Sequence, residues 1–236
     1  MLLFDLDGTL IKWGDPVHLD AIDHSVHTLF PKSVGVSVHQ IDFDGRVQRR
    51  VVRELLARAG LDGSISPEEL EPAFTVAGEM YARHWEDRDD KLRDPLPGVH
   101  SLLERLTDDD RFALAIVTGT ARGIAEVKLH RHGLSQFFTT GAYGDEVENR
   151  VDLVRLAISR AERHYGTSFP PGTIAVLGDT PHDIACGHAC GTVGLGIATG
   201  RHSVETLSAA GAEAVVPDLT NTDAVIHALL TITGEG

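Results

Sequence analysis

Two carboxylates stand two residues apart at the end of a short apolar run, Leu2-Leu3-Phe4-Asp5-Leu6-Asp7-Gly8-Thr9-Leu10. Such a run reads as a strand buried on both faces, and the Gly-Thr pair lets the chain turn sharply at its carboxyl end. Two further apolar runs end in the same manner: Ala113 to Val117 leads into Thr118-Gly119-Thr120, and Thr173 to Leu177 leads into Gly178-Asp179, with Asp183 close behind. As strands of one open α/β sheet, they would bring these polar residues to the rim where such sheets bind ligands. Like charges about 4 Å apart repel by roughly 4 kcal/mol even at an effective dielectric of about 20, and a bound cation is the usual remedy for carboxylates clustered in this way. Oxygen ligands with an open position suit Mg2+, which is typically held by one or two carboxylates, waters and a substrate phosphate. Asp5 can then attack phosphorus as an unprotonated carboxylate, splitting one hard displacement into two through an aspartyl-phosphate. Asp7 is placed to protonate the leaving alkoxide and later to deprotonate the attacking water. Thr118 and nearby backbone N–H groups can hold the phosphoryl oxygens, and one protein cation should neutralise the developing charge.

The elements that must position these residues follow from periodicity and punctuation. Asp15-Pro16 caps and starts a helix expected to reach Pro31. Val47, Val51, Val52, Leu55, Leu56 and Ala59 form an apolar stripe stopped by Gly60, and Ser66-Pro67-Glu68-Glu69 opens a third helix with a capping box. From about Trp13 to Pro95 the pattern is helical throughout, which makes this segment an insertion after the first strand. From Pro97-Gly98 onward helices alternate with short apolar runs: strands at 113–117, around 137–140, 173–177 and 192–197, with Ala214 to Val216 as an edge and Val225 to Leu230 as a last helix. That alternation implies right-handed crossovers and a parallel sheet covered on both faces. The expected fold is α/β: a Rossmann-like three-layer core formed by residues 1–12 and 96–236, and a helical cap formed by residues 13–95.

Asp5-Leu6-Asp7-Gly8-Thr9, the strand ending in Thr118-Gly119, and Gly178-Asp179-Thr180-Pro181-His182-Asp183 resemble the first, second and fourth motifs of the haloacid dehalogenase superfamily. The long insertion after the first motif looks like its helical C1 cap, so the resemblance spans essentially the whole chain. It implies Asp5 as nucleophile, Asp7 as acid and base, Thr118 as phosphoryl binder, and a Mg2+ held by Asp5, the Asp7 backbone carbonyl and Asp179, with Asp183 supporting that shell. Thr9, Gly119 and Thr120 are implied as substrate contacts. The third motif of that superfamily is a Lys or Arg ahead of the fourth; Arg150 is favoured over Lys128, which reads as a solvated surface charge. An Arg offers a forked contact where a Lys offers a point charge. The reaction expected is hydrolysis of a small phosphate monoester, as in the phosphoglycolate-phosphatase-like branch. The alternative is a sugar phosphomutase of the β-phosphoglucomutase type, and behind it a protein that binds a phosphorylated ligand without turnover. Dehalogenases of this fold lack the second Asp of the first motif and need no metal, so Asp7 and Asp179 argue against that chemistry. A phosphonatase would need a Schiff-base Lys in the insertion, which offers only Lys12, Lys32 and Lys91.

The remaining candidates are weaker. Arg46 is a possible ligand for a substrate anion, since Asp44-Gly45-Arg46 aligns loosely with the cap loop that touches substrate in related enzymes; the plainer reading of Arg46, Arg49, Arg50 and Arg53 is a solvated helix face. Of the 13 histidines, His18, His24, His27 and His39 are expected on exposed cap faces, and His182 near the chemistry. Cys186 and Cys190 fall short of a zinc set and read as buried, reduced thiols. Gly191, Gly194 and Gly196 do not form a dinucleotide fingerprint. Acidic residues outnumber basic ones by 35 to 21, giving a formal charge of −14 with no basic stripe, so nucleic acid is an unexpected partner. No apolar stretch approaches a membrane span and no leader precedes the first strand, so the expectation is a cytoplasmic enzyme acting on a small phosphorylated metabolite.

Overall fold

The short apolar runs become strands because each is clothed on both faces. A computed structural model describes residues 1–61, 63, 65–85, 92 and 94–234. Strands β1 (Leu2–Phe4), β2 (Leu114–Val117), β3 (Gly141–Ala142), β4 (Ala175–Gly178), β5 (Val193–Ile197) and β6 (Ala214–Val216) form one parallel sheet in the order β3-β2-β1-β4-β5-β6. Alternate side chains go to opposite faces, as strand geometry demands. Leu2, Phe4, Ile116 and Leu177 pack with α4 (Val99–Thr107) and the last helix (Thr222–Thr233), while Leu3, Ala115 and Val176 pack with α6 (Arg150–Tyr165). The Rossmann-like core expected from the alternation is therefore present. One strand differs: around residues 137–140 the chain makes a 3-10 turn, Ser135–Phe137, and pairing begins only at Gly141–Ala142. Two small residues carry no apolar signal, whereas Phe137 and Phe138 do, and they fill the core from outside the ladder.

The insertion supplies α1 (Pro16–Leu29), α2 (Gln48–Arg58) and α3 (Pro67–Arg83). Asp15 caps α1 by accepting from the Val17 N–H at 3.1 Å, and the Ser66–Glu69 capping box opens α3. Val47 is the N-cap of α2 rather than part of its stripe. Ile22, Val26, Val51, Leu55, Leu70 and Phe74 form a hydrophobic cluster separate from the two that cover the sheet. Its two linkers run side by side: Ile11 bridges Pro95, and the Leu96 N–H donates to Leu10 O at 2.9 Å.

The insertion is also bound to the sheet layer. Ala121 and Ile124, at the start of α5 (Arg122–Arg131), join the cluster of the inserted helices. There α3 crosses α5 glycine against glycine: a Cβ on Gly78 would lie 2.9 Å from the Gly123 Cα, so only glycine lets the backbones come this close. At α2, the Gln48 and Arg49 N–H groups, orphaned at a helix start, donate to Gly119 O and Gly144 O, each at 2.8 Å. Arg49 is consequently buried, with Nε donating to Asp145 O at 2.5 Å, and is not on a solvated face; Arg50 is exposed as expected. No helix among the described residues is long and apolar enough to cross a membrane. Lys91 lies outside the described residues.

Candidate active site

Three adjacent strands deliver the motif residues to one place. The register pairs Phe4 with Ile116 on one side and with Leu177 on the other, so Asp5, Thr118 and Asp179 follow β1, β2 and β4 at the same carboxyl edge. The order of strands also reverses at β1, with β2 and β3 to one side and β4 to β6 to the other. Crevices at such switch points are where open α/β sheets take ligands. A cavity of about 310 Å³ opens there, lined by Asp5, Asp7, Thr118, Gly119, Arg150 and Asp179 at its base.

Local capping aims the side chains. The Thr180–Asp183 capping box starts α7 (Pro181–His188), with Thr180 Oγ1 donating to Asp183 Oδ2 at 2.7 Å, and leaves the other oxygen of Asp183 facing the cluster. Arg150 is the first residue of α6, whose N-cap Asn149 accepts from the Asp152 N–H at 2.9 Å. Its Nη2 donates to Asp5 Oδ1 at 3.0 Å and also to Asp183 Oδ1. Arg150 therefore contacts Asp5 directly. Asp179 sits against the left-handed Gly8, where a Cβ would come within 2.3 Å of Asp179 Oδ2, so the Gly of the first motif makes room for the Asp of the fourth. Thr9 donates to Asp179 Oδ1 at 3.4 Å and is fully buried, orienting that carboxylate rather than lining the cavity.

Asp5, Asp179 and Asp183 offer carboxylate oxygens that all lie within 4.8 Å of one another. Burial and Asp183 push the Asp5 carboxyl well up from its usual 3.8, against the pull of Arg150. Burial and Asp183 likewise raise Asp179 to about 7. A buried, all-oxygen set whose members resist ionising together fits a hard divalent cation.

Asp7 turns the other way. Its Oδ2 accepts from Thr120 Oγ1 at 2.8 Å and its Oδ1 from Lys128 Nζ at 2.6 Å. Lys128 is not a solvated surface charge: it is 0% exposed. Nor is His18 on an exposed face; it is buried, with Nδ1 3.1 Å from Lys128 Nζ and Nε2 3.2 Å from Gln48 Oε1. An ammonium only donates, so Nδ1 accepts and Nε2–H donates to Gln48. Burial and Lys128 hold the His18 imidazole neutral, at about 4. Burial would raise Asp7, but Lys128 and His18 outweigh it and keep it below the usual 3.8. His24 and His39 are exposed and His27 is half-buried. His182 is exposed beside Gly45, and Cys186 and Cys190 are half-buried free thiols.

The buried Lys128 and His18 had a signal in the sequence. Ala121, Ala125 and Lys128 recur at helical spacing, as do His18, Ala21, Ile22, Ser25 and Val26. A polar residue on such a stripe is buried with a partner. The partner itself is not legible from spacing.

Comparison with known proteins agrees with this geometry. Residues 2–197 match the family of haloacid dehalogenase-like hydrolases. The chain belongs to this family. Among the relatives of this hydrolase is the pyrophosphatase PpaX of Halalkalibacterium halodurans, 30% identical over 192 residues, 80% of this chain and 79% of that protein. A phosphoglycolate phosphatase of Vibrio vulnificus is 25% identical over 221 residues, covering 93% of this chain and 92% of the relative. In three dimensions the hydrolase resembles a β-phosphoglucomutase from Clostridium difficile with a TM-score of 0.66, at 16% identity over 98% of this chain and 96% of the other. At that identity the likeness is one of fold.

Arg46, expected as a ligand for a substrate anion, does line the cavity of the hydrolase, but its guanidinium is engaged: Nη2 donates to Glu54 Oε2 at 2.6 Å and Nη1 to Asp42 O at 3.1 Å. Across the mouth, Asp44 is held by Arg201 at 3.3 Å and His202 at 3.1 Å, joining the inserted loop to the loop after β5.

Proposed function

We propose that this chain is a Mg2+-dependent phosphatase that hydrolyses a small phosphate monoester through a phospho-Asp5 intermediate, with residues 13–95 as its cap. The reading rests on one observation above all: Arg150 touches the carboxylate that would attack, within a buried cluster of three carboxylates at the switch point of the sheet. The relatives named as phosphatases support it.

In this reading Asp5, Asp179, Asp183 and the Asp7 backbone carbonyl are the groups available to hold Mg2+, which when bound supplies positive charge to the phosphoryl oxygens and to the carboxylates around it. Arg150 holds Asp5 in place and favours its ionised form against the burial that opposes it. An Asp5 oxygen forms a bond to phosphorus as the bond to the leaving oxygen breaks, and the leaving alkoxide takes its proton from Asp7 in its acid form. Water then attacks the acyl-phosphate, giving its proton to the Asp7 carboxylate, and Asp5 and inorganic phosphate are regenerated. Thr118 and Gly119, at the base of the cavity, are available to the transferred group, while the Thr120 N–H donates to Thr118 Oγ1 at 3.2 Å and holds that hydroxyl. Thr120 and Lys128 hold Asp7 for both steps.

Asp5→Asn is expected to lower phosphate release from phenyl phosphate by more than about 10³-fold, and Asp7→Asn by about 10²–10⁴-fold. Chelation of divalent cations should stop turnover and re-addition of Mg2+ restore it. Full activity of Asp5→Asn, or transfer of phosphate between sugar hydroxyls in place of its release, would overturn the reading.

A further inference from the structure

A lysine carries its charge on a flexible four-carbon stem, so a buried ammonium keeps one direction only when partners take up its donors on several sides. Among the described residues three groups meet Lys128 Nζ: Asp7 Oδ1 at 2.6 Å, His18 Nδ1 at 3.1 Å, and the face of the Tyr81 ring, 5.7 Å from its centroid. Of the three, Asp7 alone belongs to the sheet layer. His18 and Tyr81 come from α1 and α3 of the insertion, and Tyr81 is fixed to the start of α1 by donating to Asp15 Oδ2 at 2.6 Å.

What lies behind the His18 imidazole sets which nitrogen faces the ammonium. The Ala121 N–H donates at 2.9 Å to Gln48 Oε1, so that atom is an acceptor, and His18 Nε2, 3.2 Å from it, carries the ring proton. Nδ1 is then bare and accepts from Lys128. Both ring nitrogens are engaged in this way, so His18 lines the cavity without keeping a polar atom for a ligand.

These contacts close on themselves. From Asp7 Oδ1 the path runs through Lys128 Nζ, the His18 ring, Gln48 Oε1 and the Ala121 N–H to the neighbouring Thr120, whose Oγ1 donates to Asp7 Oδ2 at 2.8 Å. The Gln48 backbone N–H adds a second tie to the same loop, donating to Gly119 O at 2.8 Å. One circuit therefore holds both oxygens of Asp7, and two of its links are supplied by the insertion. Each carboxylate oxygen has a further lone pair, which leaves Asp7 able to exchange a proton.

We propose, on the phosphatase reading above, that His18 is a positioning residue for the reaction: by accepting from Lys128 it keeps the ammonium on Asp7 Oδ1 and so aims the Asp7 carboxyl at the leaving oxygen. A buried ammonium that loses an acceptor is drawn toward another, and misplacing a reacting group by about 1 Å can cost about 10²-fold. The loss falls on the proton that Asp7 delivers, while Arg150 still holds Asp5 for its attack on phosphorus.

Benzyl, phenyl and 4-nitrophenyl phosphate are close in shape and differ in how far the departing oxygen needs a proton, the benzyl alkoxide most and the 4-nitrophenolate least. Their kcat/KM values cover the steps up to this first displacement. His18→Leu is expected to lower kcat/KM for benzyl phosphate about 10–100-fold and for 4-nitrophenyl phosphate less than about 3-fold, with phenyl phosphate between them. His18→Asn, which can present an oxygen to Lys128, should recover most of the loss. In a Lys128→Met background His18→Leu should add less than about 2-fold, because the contact it removes is already gone. A residue that only packs would lower all three esters alike. Equal losses, no loss, a His18→Asn no better than His18→Leu, or an undiminished further loss in the Lys128→Met background would each overturn this inference and leave the phosphatase reading standing. No phosphate release from any of the three esters by the unsubstituted protein with Mg2+ would overturn that reading, and this inference with it.

Discussion

Lys128 decides the state of Asp7, and the pairing has two consequences that pull in different directions. A cation against a buried carboxylate holds it ionised, the form that accepts a proton from water, while the departing alkoxide needs the acid form. In Lys128→Met the Asp7 carboxyl loses the charge that lowers it, so its pKa rises. The basic limb of kcat/KM, where the acid form is lost, should move to higher pH, and a pH profile measures this directly. The same substitution leaves a largely buried carboxylate without its partner and should cost about 3 kcal/mol in chemical denaturation. Loss of stability with an unmoved limb would show that Lys128 only packs.

At the scale of elements, the seam between the inserted helices and the sheet layer depends on the crossing of α3 and α5. Gly78 and Gly123 allow backbone approach, and the N–H groups at the start of α2 are satisfied by carbonyls that follow β2 and β3. The insertion is therefore anchored at two places beside the cavity. Gly78→Leu must push the helices apart; overpacking of this kind costs about 1–3 kcal/mol or more. A lower Tm is expected, together with a KM that rises more than kcat falls, because Gln48 opens α2 and Arg46 lies just ahead of it, both lining the cavity. Unchanged Tm and KM would count against a close crossing.

At the scale of the whole molecule, the buried carboxylates set how stability varies with pH. Asp5 and Asp179 have native pKa values above the usual 3.8, so the native state binds more protons than the unfolded one and stability falls as pH rises, for Asp179 through about 7. His18 works oppositely, but only between about 4 and its usual 6.5; above 6.5 its contribution is complete and constant. Asp7, lowered, contributes fully above the usual 3.8. Between pH 6.5 and about pH 8 the carboxyl term stands alone, and the metal-free protein should lose Tm. Mg2+ at about 100 times its Kd should add roughly 5–10 °C. That gain should be larger at about pH 8 than at pH 6.5, since the cation binds the ionised set; a gain that shrinks with pH would contradict the placement of the ion among these residues.

Much of this was written in the chain. Apolar runs that end in Asp5, Thr118 and Asp179 specify buried strands with polar tips, since side-chain alternation and burial on both faces leave little else for them to be, and the helical periodicity of the insertion is equally direct. The position of Arg150 at a helix start could be read from its place ahead of the fourth motif. What only the tertiary structure decided is which buried polar groups meet. The stripes carrying His18 and Lys128 say that both are buried, yet helical spacing is local and cannot state that a lysine 121 residues from Asp7 would close on it. Gln48 shows the same limit most sharply. Its Oε1 accepts from the Ala121 N–H and from His18 Nε2, contacts that exist only once distant segments pack.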